Sequence, residues 1–242
     1  MHTFFIAPTG FGVGLTSISL GLVGALERSG LKVGFFKPIA QPHAGDLGPE
    51  RSSELIARTH GLHSPKPLPL SHVERMLGDG QLDELLEEIV RLHQQVAEGM
   101  DVLIVEGMVP TRHASYAARV NLHLAKSLDA EVILVSAPEN EVLSELSGRV
   151  ELQAQLFGGP RDPKVLGVIL NKVGSPRHEQ VLRQACEQAP MLVQPPKPSA
   201  SCCATMPLTR DQRSGWPWGS IARWVILAEV NSIAEPLGQA AT

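Results

Sequence analysis

The chain has 242 residues, with 21 Lys+Arg against 25 Asp+Glu, a formal net charge of −4 and 43% hydrophobic residues. That composition is ordinary for a soluble α/β domain with a smaller appendage, and it lacks the basic excess of a nucleic-acid-binding surface. No apolar run reaches the roughly 20 residues of a membrane span, and MHTFFIAPTG has neither the basic region nor the cleavage site of a signal peptide, so a cytoplasmic protein without nucleic-acid or membrane partners is expected.

Residues 3–7, TFFIA, form a short apolar run that stops at Pro8 and a glycine cluster, the way a buried parallel strand enters a loop. TSISLGLVGALERSG follows, with Ile18, Leu22, Ala25 and Leu26 on one helical face and Gly30 as the stop. LKVGFFKPI reads as a second strand. RSSELIARTHGL is a helix ending at Gly61, and DELLEEIVRLHQQVAEGM is a long amphipathic one that turns Leu85, Leu86, Ile89, Leu92 and Val96 inward.

DVLIVEG (101–107) is the next buried strand, SYAARVNLHLAKSLD a helix, AEVILVSAP a strand, NEVLSELSGRVELQAQLFG a helix, and KVLGVILNKV (164–173) a further strand. Such alternation predicts an α/β fold with a doubly wound parallel sheet, covered on both faces, with ligands at the carboxyl ends of the strands.

After residue 174 the texture changes. The three tryptophans (216, 218 and 224) and the three cysteines (186, 202 and 203) all lie there, amid PPKPSASCC and GWPWGS. The odd cysteine count and the spacing exclude a disulfide framework and a zinc site. Residues 176–189 suit one more helix, and WVILAEVNSIAEPL a closing strand or helix. The organisation expected is therefore a 1–174 domain and a divergent 175–242 tail.

The loop APTGFGVGLTS is the chemically informative stretch. A phosphate loop works because successive backbone N–H groups converge on an anion at the positive end of a helix. Gly10, Gly12 and Gly14, followed by Thr16 and Ser17, meet that demand. In the pattern G-x-x-x-x-G-K-[ST], however, Thr9 stands at the first glycine and Leu15 at the lysine. Without that lysine, phosphoryl transfer loses a principal electrostatic stabiliser. The loop reads either as the holder of a nucleotide or other phosphate-bearing ligand, or as a structural turn.

Three further residues sit at strand ends. Lys37 suits an anionic ligand or a solvated cap of the sheet. Glu106 suits Mg²⁺ held through water, or a hydrogen-bonding role in its loop. Asn171 suits an adenine edge or a turn. The histidines, His93 among them, show no metal pattern and are expected at the surface.

Taken together, APTGFGVGLTSISLGLVGALERSG, VGFFKPIAQP, HVERMLGDGQLDELLEEIV, VLIVEGMVPTR, VNLHLAKSLDAEVILVSAP, RVELQAQLFGG and GVILNKV resemble the N-terminal domain of long-form bacterial phosphate acetyltransferases over residues 1–174. That domain is similar to dethiobiotin synthetase and the cobyrinic acid diamide synthetases. Gly14, Thr16, Lys37, Glu106 and Asn171 match the motif positions of those relatives, whereas Leu15 departs from them.

The resemblance implies a protein concerned with acetyl transfer between acetyl-CoA and inorganic phosphate. It also implies that the transferase site belongs to a separate C-terminal domain, and that this part serves oligomer stability and response to metabolites such as pyruvate and NADH. An accessory, regulatory domain is therefore expected, with no catalytic residues of its own, no metal and no assured cofactor, self-associating and open to a small anionic metabolite. The alternatives are a nucleotide-dependent synthetase and a free anion-binding module. The loss of resemblance after residue 174 is the pattern of a truncated or frame-shifted end.

Overall fold

A computed structural model describes residues 1–41, 50–111, 114–138, 143–172 and, by backbone alone, 224–228. Its elements run β1 (His2–Pro8), α1 (Leu15–Arg28), β2 (Val33–Phe36), α2 (Arg51–His60), α3 (Leu70–Gly78), α4 (Leu82–Ala97), β3 (Val102–Glu106), α5 (Ala117–Ser127), β4 (Glu131–Ser136), α6 (Leu143–Leu156), β5 (Val165–Asn171) and β6 (Trp224–Ala228). All pairings are parallel, in the order β2-β3-β1-β4-β5-β6.

Because strand side chains alternate, neighbouring residues enter different cores. Phe5, Phe36, Leu103 and Val105 pack with Val73 of α3, Leu85 and Ile89 of α4, Leu124 of α5 and Leu146 of α6. Ile6, Phe35 and Ile104 pack with Leu15, Ile18, Val23 and Leu26 of α1 and Ile56 of α2. Helices thus cover both faces, as the near-continuous apolar strands require. The first strand lies inside the sheet between β3 and β4, so the loop leaving it opens beside the ends of two others, where a doubly wound sheet binds ligands.

One helix, α3, was not indicated by the sequence pattern. It is nine residues long, starts after Pro69, and buries only Val73 and Met76. The surface reading of the histidines fails at His93, which is 7% exposed. It continues the Leu85, Ile89 stripe of α4 at helical spacing, and its Nε2 lies 3.3 Å from Thr3 Oγ1 of β1. Of the closing segment, Trp224–Ala228 is a strand alongside β5. The helix expected over 176–189 and all three cysteines lie outside the described residues. No helix among the described residues is long and apolar enough to cross a membrane.

Candidate functional site

The loop between β1 and α1 is held in shape by neighbouring strands. Thr9, at the first glycine position, gives its backbone N–H to Val135 O at 2.8 Å and its hydroxyl to Ser136 Oγ at 2.8 Å. Both partners lie on β4, so the substitution fastens the start of the loop to the sheet. Gly12 and Gly14 adopt φ of 70° and 80°, a region that side chains disfavour. Leu15 is 4% exposed and belongs to the α1 core, so position 15 turns inward to pack.

Beneath the first turn of α1 lies a buried polar cluster. Lys37, 3% exposed, donates to Glu106 Oε1 at 2.9 Å and to Gly107 O at 3.1 Å. The same Glu106 oxygen accepts from Ser52 Oγ at 2.8 Å and Thr16 Oγ1 at 3.3 Å, and the two hydroxyls are 2.8 Å apart. A charge taken out of water requires a paired charge and hydrogen bonds, which explains why a lysine and a glutamate at adjacent strand ends turn toward each other. The solvated-cap alternative for Lys37 is thereby excluded. Glu106 Oε2 is buried and has no hydrogen-bond partner among the described residues. Ser17 is half-buried and outside this cluster. Ser52 escaped the sequence reading because the position lies on a different helix, with no spacing that links it to Glu106.

Asn171 ends β5 under the loop. Its Nδ2 donates to Val13 O at 2.9 Å, and its Oδ1 accepts from the Lys172 backbone N–H at 2.9 Å. Lys172, at φ 57°, extends its ammonium to Gly12 O at 2.6 Å. Both ends of the Asn171 amide are engaged with the protein, and a Cβ on Gly14 would collide with it. On the other side, Arg149 of α6 donates from Nη2 to Ala137 O at 2.9 Å, while its Nη1 lies 3.2 Å from where a Cβ on Gly10 would stand. Two of the loop glycines thus make room for side chains arriving from other strands and helices.

The exit from β3 is fixed by side-chain amides. Asn121, 1% exposed, accepts from Met108 N and donates to Met108 O, both at 2.8 Å. Gln41 does the same for Val109, at 2.6 and 2.9 Å. No group of three or more His, Cys, Asp or Glu among the described residues could hold a metal ion.

A parallel sheet with helices on both faces, and a glycine loop running from the central strand into a helix, define a P-loop-type α/β domain in which the loop lysine is replaced. A family model described as an AAA domain matches residues 2–197, and the chain belongs to that family. The phosphate acetyltransferase of Pseudomonas putida is 87% identical over 173 residues, 72% of this chain and 25% of that protein. For the enzyme of Nitrosomonas europaea the figures are 59% over 184 residues, 76% and 26%, and for that of Escherichia coli 39% over 176 residues, 72% and 25%.

The matched part corresponds to the dethiobiotin synthetase-like N-terminal domain of the long-form phosphate acetyltransferases, and the chain spans about a quarter of the length of these relatives. Among solved structures, the signal recognition particle receptor FtsY of Elizabethkingia anophelis, in complex with GDP, aligns at a TM-score of 0.50 with 14% identity, covering 75% of this chain and 52% of that one. At that identity the likeness concerns the fold alone.

Proposed function

We propose that this chain is an accessory, regulatory domain of a phosphate acetyltransferase, that acetyl transfer takes place outside it, and that its loop holds a phosphate-bearing metabolite without turning it over. One observation carries the reading: position 15, which in a phosphoryl-transferring loop points a lysine at the phosphates, is a leucine packed into the core. The nearest buried ammonium, Lys37, is committed to Glu106. Phosphoryl transfer depends on cationic groups directed at the transferring phosphate, and this arrangement withholds them. Binding makes a smaller demand, met by the backbone N–H groups of the loop and the Thr16 hydroxyl.

Self-association through the α/β domain and a cytoplasmic location belong to the same proposal. The deciding experiment follows CoA release from acetyl-CoA by the purified chain on addition of phosphate. The expected result is no release above a phosphate-free control. Phosphate-dependent release that persists through repurification overturns the reading. Sedimentation of the same sample tests self-association.

A further inference from the structure

The proposed self-association leaves open which surface carries it. We propose that two copies of this chain meet through the outer face of α4, packed antiparallel about a two-fold axis that passes between Glu88 and Ile89. This inference rests on the self-association reading and adds the interface.

The helix α4 carries more apolar surface than its contact with the core uses. Leu85, Ile89 and His93 are buried, whereas Leu86 and Val90, one position further on, are only partly covered. These two floor an open groove of about 470 Å³, with Ser127 of α5 on its far side. Its rim is formed by Asp83, Glu87, Arg91 and Gln94, all exposed. Residues four apart form ridges on a helix, so Leu86, Val90 and Gln94 make one ridge and Asp83, Glu87 and Arg91 the next. An apolar floor within a polar rim is the anatomy of a protein–protein interface.

The fold does not use the rim charges. Glu88 is bound to His72 of α3 at 3.0 Å, but Asp83 and Glu87 meet no cation among the described residues. Arg91 stands four residues after Glu87, a spacing at which opposite charges ordinarily pair. Its Nε instead turns back to Glu87 O at 3.3 Å, and its terminal nitrogens meet no carboxylate among the described residues.

Acid on the first half of this face and base on the second make it complementary to itself when reversed. Antiparallel packing about the proposed axis sets Leu86 beside Val90 of the second copy, Glu87 against its Arg91 and Asp83 against its Gln94, and each contact recurs across the axis as an isologous interface requires. Parallel packing would oppose like charges, which is unfavourable. A single helix crossing is at the small end of specific interfaces, so the association is expected to depend on concentration.

The test is sedimentation velocity of the 242-residue chain over a concentration series. Wild type is expected to shift from monomer to dimer as concentration rises. Glu87→Arg and Arg91→Glu each oppose like charges across the axis, and each is expected to raise the concentration needed for dimer by about ten-fold or more. An equimolar mixture of the two is expected to dimerise like wild type, because two arginines of one chain then face two glutamates of the other. The double reversal Glu87→Arg/Arg91→Glu is expected to dimerise with itself. Arg58→Glu, a reversal on α2, is expected to leave association unchanged. Urea denaturation of each variant confirms that it is folded, and recovery in the mixture separates a lost contact from misfolding.

A wild-type dimer that neither reversal weakens overturns the inference and leaves self-association standing. Weakening by both reversals without recovery in the mixture or in the double reversal overturns the antiparallel pairing, and the inference with it. A wild type that stays monomeric throughout overturns the inference together with the self-association part of the proposed function. The accessory role is decided separately, by the acetyl-transfer assay.

Discussion

The side-chain amide of Asn171 fills the space into which a Cβ on Gly14 would project. The loop between β1 and α1 and the end of β5 are therefore one packed unit, although 157 positions separate the two residues (171 − 14). Gly14→Ala meets both this collision and an unfavourable φ of 80°, and is expected to cost about 1–3 kcal/mol. In Gly14→Ala/Asn171→Ala the collision is relieved, so the urea midpoint of the double variant should lie above the value obtained by adding the single losses. Strict additivity would show that the two residues do not meet.

Lys37 and Glu106 form the buried ion pair at the site. Removing either partner alone, by Lys37→Met or Glu106→Gln, is expected to destabilise the chain by about 3–5 kcal/mol, because a buried charge is left uncompensated. Lys37→Met/Glu106→Leu should lose less than the sum. Denaturation with urea at neutral pH measures all three, and single variants as stable as wild type would mean the pair is open to water.

Leu15→Lys places a lysine at its usual motif position, but at a site packed into the core. The expected result is a loss of about 2–5 kcal/mol from the vacated packing, without gain of ATP hydrolysis. ATP turnover by this variant would instead support a nucleotide-dependent synthetase ancestry with the remaining site intact.

Burial holds the His93 imidazole below its ordinary pKa of 6.5. The unfolded chain therefore takes up a proton at a higher pH than the folded one, so stability is full above about pH 6.5 and declines as pH falls toward the depressed folded value. His93→Leu should flatten the dependence of the urea midpoint between pH 5 and 7. An unchanged slope assigns the acid sensitivity to other groups.

Tyr116 is the sole tyrosine of the chain. Burial, together with its hydrogen bond to the Glu74 carboxylate and the nearby negative charge, pushes its phenol up to about 12. A raised pKa contributes stability below the ordinary value of 10 that is lost as pH rises through the folded value. Ultraviolet titration of the folded chain should show phenolate appearing well above pH 10, and Glu74→Gln should bring the midpoint down. A wild-type midpoint near 10 would mean the contact with Glu74 is not made.

The strand–helix alternation through residue 171 was legible because buried parallel strands leave uninterrupted apolar runs between glycine, proline and acidic stops. The short α3 was not, since two buried side chains set no clear period. His93 was misjudged for a different reason: its place on the α4 stripe was visible, but the polarity of histidine outweighed it. At the site, the strand-end positions of Lys37, Glu106 and Asn171 followed from the pattern. Ser52, which meets Glu106, and Lys172 and Arg149, which reach the loop at Gly12 and Gly10, did not, because contacts between separate elements depend on how helices settle on the sheet, and no spacing within one segment encodes that.

Asn121 and Gln41 each present an amide to one residue of the segment that leaves β3, accepting from its N–H and donating to its carbonyl. In effect they continue the sheet with side chains after its strands have ended. Hydrogen exchange at Met108 and Val109 is therefore expected to be slow, as in strand interiors, because each N–H is released only when its amide clamp swings away. The exit of β3 is thereby held by side chains from α5 and from the segment after β2, two parts of the chain that the strand itself does not pair with.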